Sequence, residues 1–337
     1  MNQAYDIEAH WIINLICNYD CEYCFSRAPQ DPDLVGKLTP QAYLDFFDST
    51  GKTWLLHITG GEPLAYRGLA ELCATLTRRH LISLNSNLAL TRVTAFAKAV
   101  DPERVHFIHC GIHIEERDKH NGWTLLLNNL RELVQAGFPV FASSVMTPEA
   151  FPLFEDARAR LDDAGVPLIP KIIRGMFRER QYPQSYSALE REQFLQFAAF
   201  AEQKILDSPH APFRHDPTIN PLIDRHFLDG VRDFTGVACS AGRRFVTIAT
   251  DGNIYACGTR GRIGNIFQRR IEFFAGDRPC RSDWCHYACV RYSERDVAGA
   301  QSLPMVPAEP TLKNRMGNLL YLLERGAVNT LVRLSVR

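Results

Sequence analysis

Three cysteines near the start of the sequence, Cys17, Cys21 and Cys24, are spaced closely enough to share one inorganic centre. They follow an apolar run at residues 11–16, so they are expected on a loop at the end of a strand. A structural zinc site takes four protein ligands, and an iron–sulfur cluster is normally held by four cysteines. Three thiolates in one loop therefore leave one metal position open, unless a distant residue fills it. An open iron is what a small chelating ligand needs in order to bind.

A second motif, Thr-Gly-Gly-Glu-Pro at residues 59–63, follows another apolar run at residues 54–58. Two adjacent glycines allow the backbone to approach a ligand closely at the end of a strand. The proline that follows stops the strand and begins the next turn. Taken alone, this motif is equally typical of an ordinary strand-to-helix turn.

The two motifs together make the N-terminal half of the chain resemble the radical S-adenosylmethionine (SAM) superfamily. The resemblance implies that the three cysteines hold a [4Fe–4S] cluster whose fourth iron is chelated by SAM. In this superfamily the reduced cluster cleaves SAM, and the resulting 5′-deoxyadenosyl radical takes hydrogen from an unactivated C–H bond. The alternative is three buried cysteines or a zinc knuckle. The residues that the resemblance and the expected strand ends assign to SAM are Tyr23, Gly60, Gly61, Glu62, Pro63, Asn85, Ser86, Asn87 and either Ser143 or Ser144.

Five further cysteines, Cys239, Cys257, Cys280, Cys285 and Cys289, are concentrated in the C-terminal part. An Asp-Gly pair at 251–252 between two alternating runs predicts a hairpin that brings Cys239 and Cys257 together. Their spacing around the glycine resembles the opening of the SPASM and Twitch extensions, which bind auxiliary [4Fe–4S] clusters. Five cysteines suit one such cluster with one to spare, the fourth ligand being Cys280 or Cys285. A structural zinc is the alternative.

The composition excludes several classes of protein. The 337 residues include 38 basic and 38 acidic side chains, so no overall positive field for nucleic acid exists. No apolar stretch has the length of a membrane span, and the N-terminus carries no secretory signal. We therefore expect a cytoplasmic protein whose ten cysteines are mainly metal or redox ligands, with Cys73 and Cys110 as small buried hydrophobes. The basic amphipathic tail is expected to pack on its own domain, with a membrane surface as the alternative.

Alternating strand-like and helical runs between residues 8 and 174 predict an α/β fold with a parallel sheet. The resemblance implies a partial (β/α)6 barrel followed by a small cysteine-rich domain of a hairpin and a helix. We expect the boundaries 1–234 for the barrel and its connector, 235–292 for the auxiliary-cluster domain and 293–337 for a helical tail. The predicted strands cover 11–16, 54–58, 81–85, 105–114, 140–145 and 168–173, and the predicted helices 40–47, 67–79, 92–99, 123–135 and 149–164.

Polar residues on the inner face of such a sheet are costly to bury unless they bind something. By alternation, His109, Gly111, His113 and Glu115 share one face of the predicted fourth strand. We regard His113 and Glu115 as candidate catalytic residues, together with Cys110, the strand-borne thiol that an epimerase would need. A solvated rim with ordinary ion pairs is the alternative.

Lys171 and Arg174, near the end of the sixth predicted strand, are candidate ligands for a hydroxylated or anionic substrate. The first strand starts too early to leave room for a leader-peptide domain, which favours a small polar metabolite such as a sugar, aminocyclitol or nucleoside. Oxidation and epimerisation both remain open, with the auxiliary cluster in electron transfer or substrate positioning. A flavodoxin or ferredoxin would supply electrons. The alternatives are maturation of a ribosomally made peptide and, in another class, a non-catalytic iron–sulfur or zinc scaffold.

Overall fold

Strands and helices alternate through the first half of the chain. The computed structural model describes residues 5–24, 38–206, 224, 228, 231–232, 234–257, 260–281 and 305–306. The first six strands are β1 (Ile7–Asn14), β2 (Trp54–Gly60), β3 (Leu81–Ser86), β4 (Val105–Gly111), β5 (Val140–Val145) and β6 (Leu168–Lys171). The helices are α1 (Pro40–Ser49), α2 (Leu69–Leu76), α3 (Val93–Ala99), α4 (Ile114–Lys119), α5 (Trp123–Gln135), α6 (Phe154–Asp162) and α7 (Ala188–Leu206), with 3₁₀ turns at Pro63–Ala65, Pro102–Arg104 and Phe151–Leu153.

The remaining strands are short. They are β7 (Gly175–Phe177), β8 (Arg180–Tyr182), β9 (Val231–Arg232), β10 (Ala238–Cys239), β11 (Phe245–Ile248), β12 (Asn253–Tyr255), β13 (Arg262–Asn265), β14 (Arg270–Ile271), β15 (Arg278–Pro279) and β16 (Met305–Val306). Three two-stranded pairs stand apart: β7 with β8, β10 with β15 and β9 with β16.

One large sheet carries the fold, in the order β14-β13-β12-β11-β1-β2-β3-β4-β5-β6. Strands β1 to β6 lie side by side in chain order and are parallel, which confirms the predicted α/β fold and its six-stranded partial barrel. The predicted hairpin is also confirmed, since β11 and β12 are antiparallel neighbours. Strand β11 pairs in parallel with β1, so the hairpin extends the sheet of the barrel.

Alternating side chains give the parallel sheet an outer face towards the helices and an inner face. On the outer face of β1, Trp11 contacts Tyr43 and Phe47 of α1 at ring-centroid distances of 5.2 and 5.6 Å. Helix α1 starts where its geometry favours a start: Thr39 accepts a hydrogen bond from the Ala42 amide, and a proline occupies the first turn. The outer face thus forms the continuous apolar core that holds the strands in register.

The inner face has a smaller apolar floor on one side. Phe107, Phe141 and Ile169 of β4, β5 and β6 pack against Ala201 and Ile205 of α7. Helix α7 therefore covers the lower part of this inner face, and the strand ends above it are left for chemistry.

The first strand begins earlier than predicted. Glu8 and His10 interrupt the apolar run in sequence, but both lie on the inner face and do not interrupt the strand, which starts at Ile7. An apolar-run criterion misses a strand whose inner face is polar.

The fourth strand ends earlier than predicted, at Gly111. His113 adopts a left-handed backbone with φ of 49° and precedes the first turn of α4. The prediction that His113 and Glu115 share a strand face with His109 is therefore wrong, because a left-handed residue ends the pleat.

The β7–β8 hairpin was not predicted. Its turn residues Arg178 and Glu179 both have positive φ, of 45° and 62°, and neither is a glycine or asparagine that would signal such a turn.

Among the described helices, none has the length and apolar character needed to cross a bilayer.

Candidate functional site

The glycine loop after β2 is docked on the segment that leads into the cysteine loop. The Gly61 amide donates to the Asn14 carbonyl at 2.9 Å, and the Glu62 amide donates to the Ile16 carbonyl at 2.7 Å. A Cβ at Gly61 would lie 2.4 Å from the Ile16 oxygen, and one at Gly60 would lie 2.3 Å from the Asn14 oxygen. Both glycines are thus required by contact with the protein's own backbone, which places the two predicted motifs against each other.

The carboxylate of Glu62 is fully buried and ties this loop to the end of β3. It accepts hydrogen bonds from the Leu64 amide (2.8 Å), the Ser86 hydroxyl (2.6 Å) and the Asn87 amide (2.7 Å). Burial raises the pKa of Glu62, while the bonds from Ser86, Asn87 and Leu64 act in the opposite direction. Glu62 and Ser86, both predicted SAM residues, therefore contact each other with their side chains.

Asn87 connects the same network to the cysteine loop. Its side-chain amide donates to Asn18 Oδ1 at 2.9 Å, next to the first cysteine. The Asn87 carbonyl accepts from Arg117 Nη2 at 2.7 Å. Arg117 is fully buried, and its guanidinium lies 5.5 Å from the ring centre of Tyr19 in the cysteine loop. A segment as charged as residues 115–119 suggests a solvated helix, so the sequence gives no signal for this buried arginine.

The three cysteines of the loop differ in exposure. Cys17 is exposed, Cys24 is half-buried and Cys21 is buried. Burial raises the pKa of Cys17, and it raises that of Cys21 to about 12, with the neighbouring cysteines adding to both shifts. The free thiols of Cys17 and Cys21 are therefore protonated at neutral pH, and a positively charged metal centre is what would convert them to thiolates.

Two observations test whether the loop fits an iron–sulfur cluster with a bound ligand. Within the described part of the chain, no three His, Cys, Asp or Glu side chains converge as they would on a single metal ion. The three thiols belong to one loop, at residues 17, 21 and 24. Arg117 Nη1 is buried beside this loop and has no hydrogen-bond partner among the described residues. Three thiol donors with a buried cation nearby fit a group that carries net negative charge on its sulfurs.

Tyr23 lies between the second and third cysteines and is turned towards α4. Its hydroxyl is 2.8 Å from His113 Nδ1, and the two rings stack with an interplanar angle of 19°. His113 Nδ1 is also 3.4 Å from Cys21 Sγ. The first turn of α4 thus contacts the cysteine loop directly.

A cleft of about 230 Å³ opens between the cysteine loop and the ends of β4 and β5. Glu115 stands in its wall and accepts a hydrogen bond from the Thr147 hydroxyl at 2.8 Å. Glu116 accepts one from the Asp20 amide at 3.1 Å. The lining residues are Asp20, Cys21, Glu22, Tyr23, His113, Ile114, Glu115, Glu116, Val145, Thr147 and Ala150.

The tip of the β7–β8 hairpin spans two sides of this cleft. Arg178 pairs with Glu22 of the cysteine loop at 2.8 Å, and its other terminal nitrogen pairs with Glu149, which follows β5. Glu22 and the neighbour of Glu149, Ala150, both line the cleft. The hairpin thereby holds the cysteine loop against the β5 end through two exposed ion pairs.

Polar side chains on the inner face bond across neighbouring strands. His57 contacts the Ser83 hydroxyl at 2.6 Å and Glu8 at 3.2 Å. Asn85 donates to the Thr59 hydroxyl at 3.3 Å, yet it is solvent-exposed although its strand is central in the sheet. Within the described part of the chain, the inner face is therefore open to solvent at Asn85, near the end of β3.

His109 and Ser143 continue this layer on β4 and β5. His109 Nε2 is 2.6 Å from the Ser143 hydroxyl, and burial lowers the pKa of His109 to about 3, with Lys171 and His113 contributing. Lys171 is buried near the end of β6. Arg174 lies further along and pairs with the buried Asp224 at 2.7 Å.

Two predicted residues lie on the opposite, outer face. Cys110 is completely buried in the main core, whereas its neighbours His109 and Gly111 face inwards. Ser144 is likewise buried and alternates with the inward-facing Ser143. The predictions that Cys73 and Cys110 are buried are confirmed.

The C-terminal cysteines that the structure describes come together. Cys239 and Cys257 belong to one small cluster with Phe245, and the charges of Cys280 and Cys257 both raise the pKa of Cys239, after burial as the largest cause. The Cys280 amide donates to the Val237 carbonyl at 2.8 Å, which fixes it beside β10. The predicted ligands Cys285 and Cys289 lie outside the described residues, as does the predicted helix around them.

Comparison with known proteins bears on this site. Residues 11–151 match the family model described as the radical SAM superfamily. A structure of anSMEcpe with bound AdoMet and Cp18Cys peptide has a TM-score of 0.51 at 14% identity, covering 77% of each chain. Streptococcus suis SuiB bound to S-adenosylmethionine has a TM-score of 0.52 at 12% identity, covering 78% of this chain but 64% of SuiB. No curated protein sequence gives a significant match.

We expect Glu62→Gln to destabilise the protein by about 1–3 kcal/mol. Three donors bond to the two carboxylate oxygens of Glu62, whereas the glutamine amide has only one acceptor oxygen. Chemical denaturation at pH 7 measures the effect. Glu71→Gln, at an exposed position of α2, is the matched control and should change stability by less than about 0.5 kcal/mol. Equal stabilities of the two variants would show that the Glu62 carboxylate does not hold the loops.

We expect Arg178→Ala to loosen the cysteine loop, because its two ion pairs to Glu22 and Glu149 are lost. Hydrogen exchange of the peptide covering residues 17–24 should become a few-fold faster, and high salt should have the same effect on the wild type. Arg180→Ala, exposed on the same hairpin, is the control. Unchanged exchange in the Arg178 variant would contradict the bridging role.

We expect the stability of the wild type to fall as the pH decreases from about 6.5 towards 4, since the unfolded chain protonates His109 in this range and the folded protein does not. His109→Gln removes this group and should reduce the slope by up to about 1.4 kcal/mol per pH unit. Ser143→Ala removes the hydrogen-bond partner but keeps the imidazole, so its slope should stay steep. Denaturation curves across this pH range compare the three proteins.

Proposed function

We propose that the chain, whose residues 11–151 match the radical SAM family model, is a radical SAM enzyme that uses a [4Fe–4S] cluster and SAM. From this premise we propose that Cys17, Cys21 and Cys24 hold the cluster. The observation that carries the proposal is the direct docking of the Gly60–Gly61 turn on residues 14–16, which fixes the glycine loop beside the cysteine loop. When bound, the cluster and SAM supply one-electron cleavage of SAM and the hydrogen abstraction that follows.

We propose that the chain's own residues position and shield these groups. Glu62, Ser86 and Asn87 act by holding the glycine loop, the end of β3 and Asn18 in one arrangement. Tyr23, Gly60, Gly61 and Pro63 then border the ligand. The cleft beside Cys21 offers room for part of SAM, with Glu115 in its wall. Asn85, exposed on the inner face, faces the space where a substrate would enter.

For the substrate we propose a peptide side chain. The similar structure of anSMEcpe holds a peptide together with AdoMet, and its likeness covers 77% of each chain. Among the described residues, Asn85 near the end of β3 is exposed on the inner face, and an opening at this point would admit a chain segment. This proposal replaces the sequence-based preference for a small metabolite, which depended on where the first strand begins.

A small polar metabolite is the second candidate, and the polar inner face favours it. His109, Ser143 and Lys171 offer hydrogen-bond donors and acceptors near the strand ends, as a hydroxylated substrate would need. Arg174 already pairs with Asp224, so we expect it to contribute less than Lys171 to substrate binding. We place no catalytic step on Cys110, whose thiol is buried on the outer face.

We further propose that Cys239, Cys257 and Cys280 hold an auxiliary [4Fe–4S] cluster, with Cys289 and Cys285 as the remaining candidates. The mutual proximity of the first three supports this. We propose the domain division 1–234, 235–292 and 293–337, in which strands β11 to β14 of the second domain continue the sheet of the first.

We also propose that the enzyme acts in the cytoplasm, that a flavodoxin or ferredoxin donates its electron, and that it has no nucleic-acid partner.

The test is iron and sulfide content after anaerobic reconstitution, combined with SAM cleavage by the reduced protein. We expect about eight irons in the wild type and about four in the Cys17→Ala/Cys21→Ala/Cys24→Ala variant, since each cluster holds four. SAM cleavage should occur only in the wild type. Metal binding with SAM left intact would favour the scaffold alternative and overturn the proposal.

The substrate class is tested by the rate of 5′-deoxyadenosine formation. We expect a mixture of random-sequence peptides to stimulate this rate, and a mixture of free sugars and nucleosides to leave it at the basal level. The reverse result would support the metabolite candidate.

A further inference from the structure

One cluster ligand, Cys21, is surrounded by two side chains that carry hydrogen-bond donors. The Tyr23 hydroxyl lies 2.8 Å from His113 Nδ1 and close enough to the Cys21 side chain for each to affect the pKa of the other. His113 Nδ1 in turn lies 3.4 Å from Cys21 Sγ. Sulfur, hydroxyl and imidazole therefore form a closed triangle.

The direction of these hydrogen bonds follows from the chemistry of a metal-bound cysteine. A thiolate sulfur on iron carries no proton and can only accept. The Tyr23 O–H then donates to the sulfur of Cys21, and His113 Nδ1–H donates to the Tyr23 oxygen and to the same sulfur. In this arrangement His113 Nε2 is unprotonated, the Tyr23 proton has the sulfur as its acceptor, and the Nδ1 proton is shared between the Tyr23 oxygen and the sulfur.

The backbone holds His113 in this position. His113 has left-handed φ, and its carbonyl accepts from the Arg117 amide at 2.9 Å in the first turn of α4. Its ring folds back over Gly111, where a Cβ would lie 2.5 Å from Nε2. Gly111 therefore has no room for a side chain as long as His113 points at Cys21. The left-handed backbone of His113 and the missing side chain at Gly111 both allow the contact between His113 and Cys21.

The contact that the structure describes at Cys17 is different in kind. Cys17 Sγ accepts a backbone hydrogen bond from the Tyr19 amide at 3.4 Å. Side-chain donors are thus found at Cys21, where substitution can remove them one at a time.

We propose that Tyr23 and His113 are positioning residues that donate hydrogen bonds to the sulfur of Cys21 and raise the reduction potential of the cluster. The inference rests on the proposed function, because it requires the cluster on the three cysteines. Reduction adds one negative charge, which spreads over the sulfurs, so donors to a sulfur stabilise the reduced form. The identity of the aromatic residue before Cys24 then sets how readily this enzyme accepts its electron.

The test is the reduction potential of the reconstituted wild type and of Tyr23→Phe, followed by the electron paramagnetic resonance signal that responds to added SAM. We expect Tyr23→Phe to lower the potential, with about a tenfold change in the reduction equilibrium, equal to about 59 mV for one electron. His113→Phe keeps the stacked ring and should shift the potential in the same direction. Gly111→Ala, which displaces the imidazole, should resemble His113→Phe.

Tyr19→Phe is the matched control. Its hydroxyl is buried in the same loop but has no partner among the described residues, so its removal should leave the potential unchanged. Iron content is measured for every variant, and His113→Phe provides the comparison if Tyr23→Phe does not load. Potentials equal to wild type in the loaded variants would overturn the inference alone. A wild type without a SAM-responsive signal would instead overturn the proposed function.

Discussion

A single buried carboxylate, that of Glu62, holds the chemical loops of this protein in one arrangement. Its two oxygens receive three donors, one from Leu64 in the turn after the glycine loop and two from Ser86 and Asn87 at the end of β3. A buried polar group without partners is costly, so burial of the carboxylate is favourable only when both segments are in place. Asn87 also donates a hydrogen bond to Asn18, which connects the cysteine loop to the same network. The site is assembled as a unit for this reason.

The same loops are also held by close packing. Gly60 and Gly61 leave no space between the glycine loop and residues 14–16, so the two motifs that are separated in sequence share a backbone contact. Arg117 adds a buried positive charge beside the cysteine loop, and its backbone contacts at the ends of β3 and β4 fix where that charge lies. Positive charge and thiol donors together favour an anionic metal–sulfur centre over free thiols.

Local patterns predicted much of the fold because they report local physics. The glycine loop, the hairpin at 251–252 and the six parallel strands all follow from periodicity and turn chemistry. The early end of β4 could not be predicted, because the left-handed backbone of His113 is stabilised by contacts that the sequence does not display.

Contacts between residues that are distant in sequence could not be predicted either. Arg117 reads as part of a charged surface helix, yet it is fully buried, and Arg178 reads as a loop residue, yet it pairs with Glu22 far away in the chain. The alternation rule placed Cys110 away from His109 and Gly111, and this could have been read from the sequence. The sequence does not show which face of the sheet is the inner one, because this depends on how the helices cover the sheet.

The pairing of β1 with β11 has a consequence for how the chain reaches this state. Residues 8–11 leave the ribosome well before residues 245–248, which are their partners on one side. Until those arrive, one edge of β1 exposes unpaired amides and carbonyls, a template for pairing with other chains. Contacts of such high sequence separation also form slowly. The nascent barrel is therefore an aggregation-prone intermediate during synthesis, and chaperone protection would matter most in the interval before the C-terminal strands emerge.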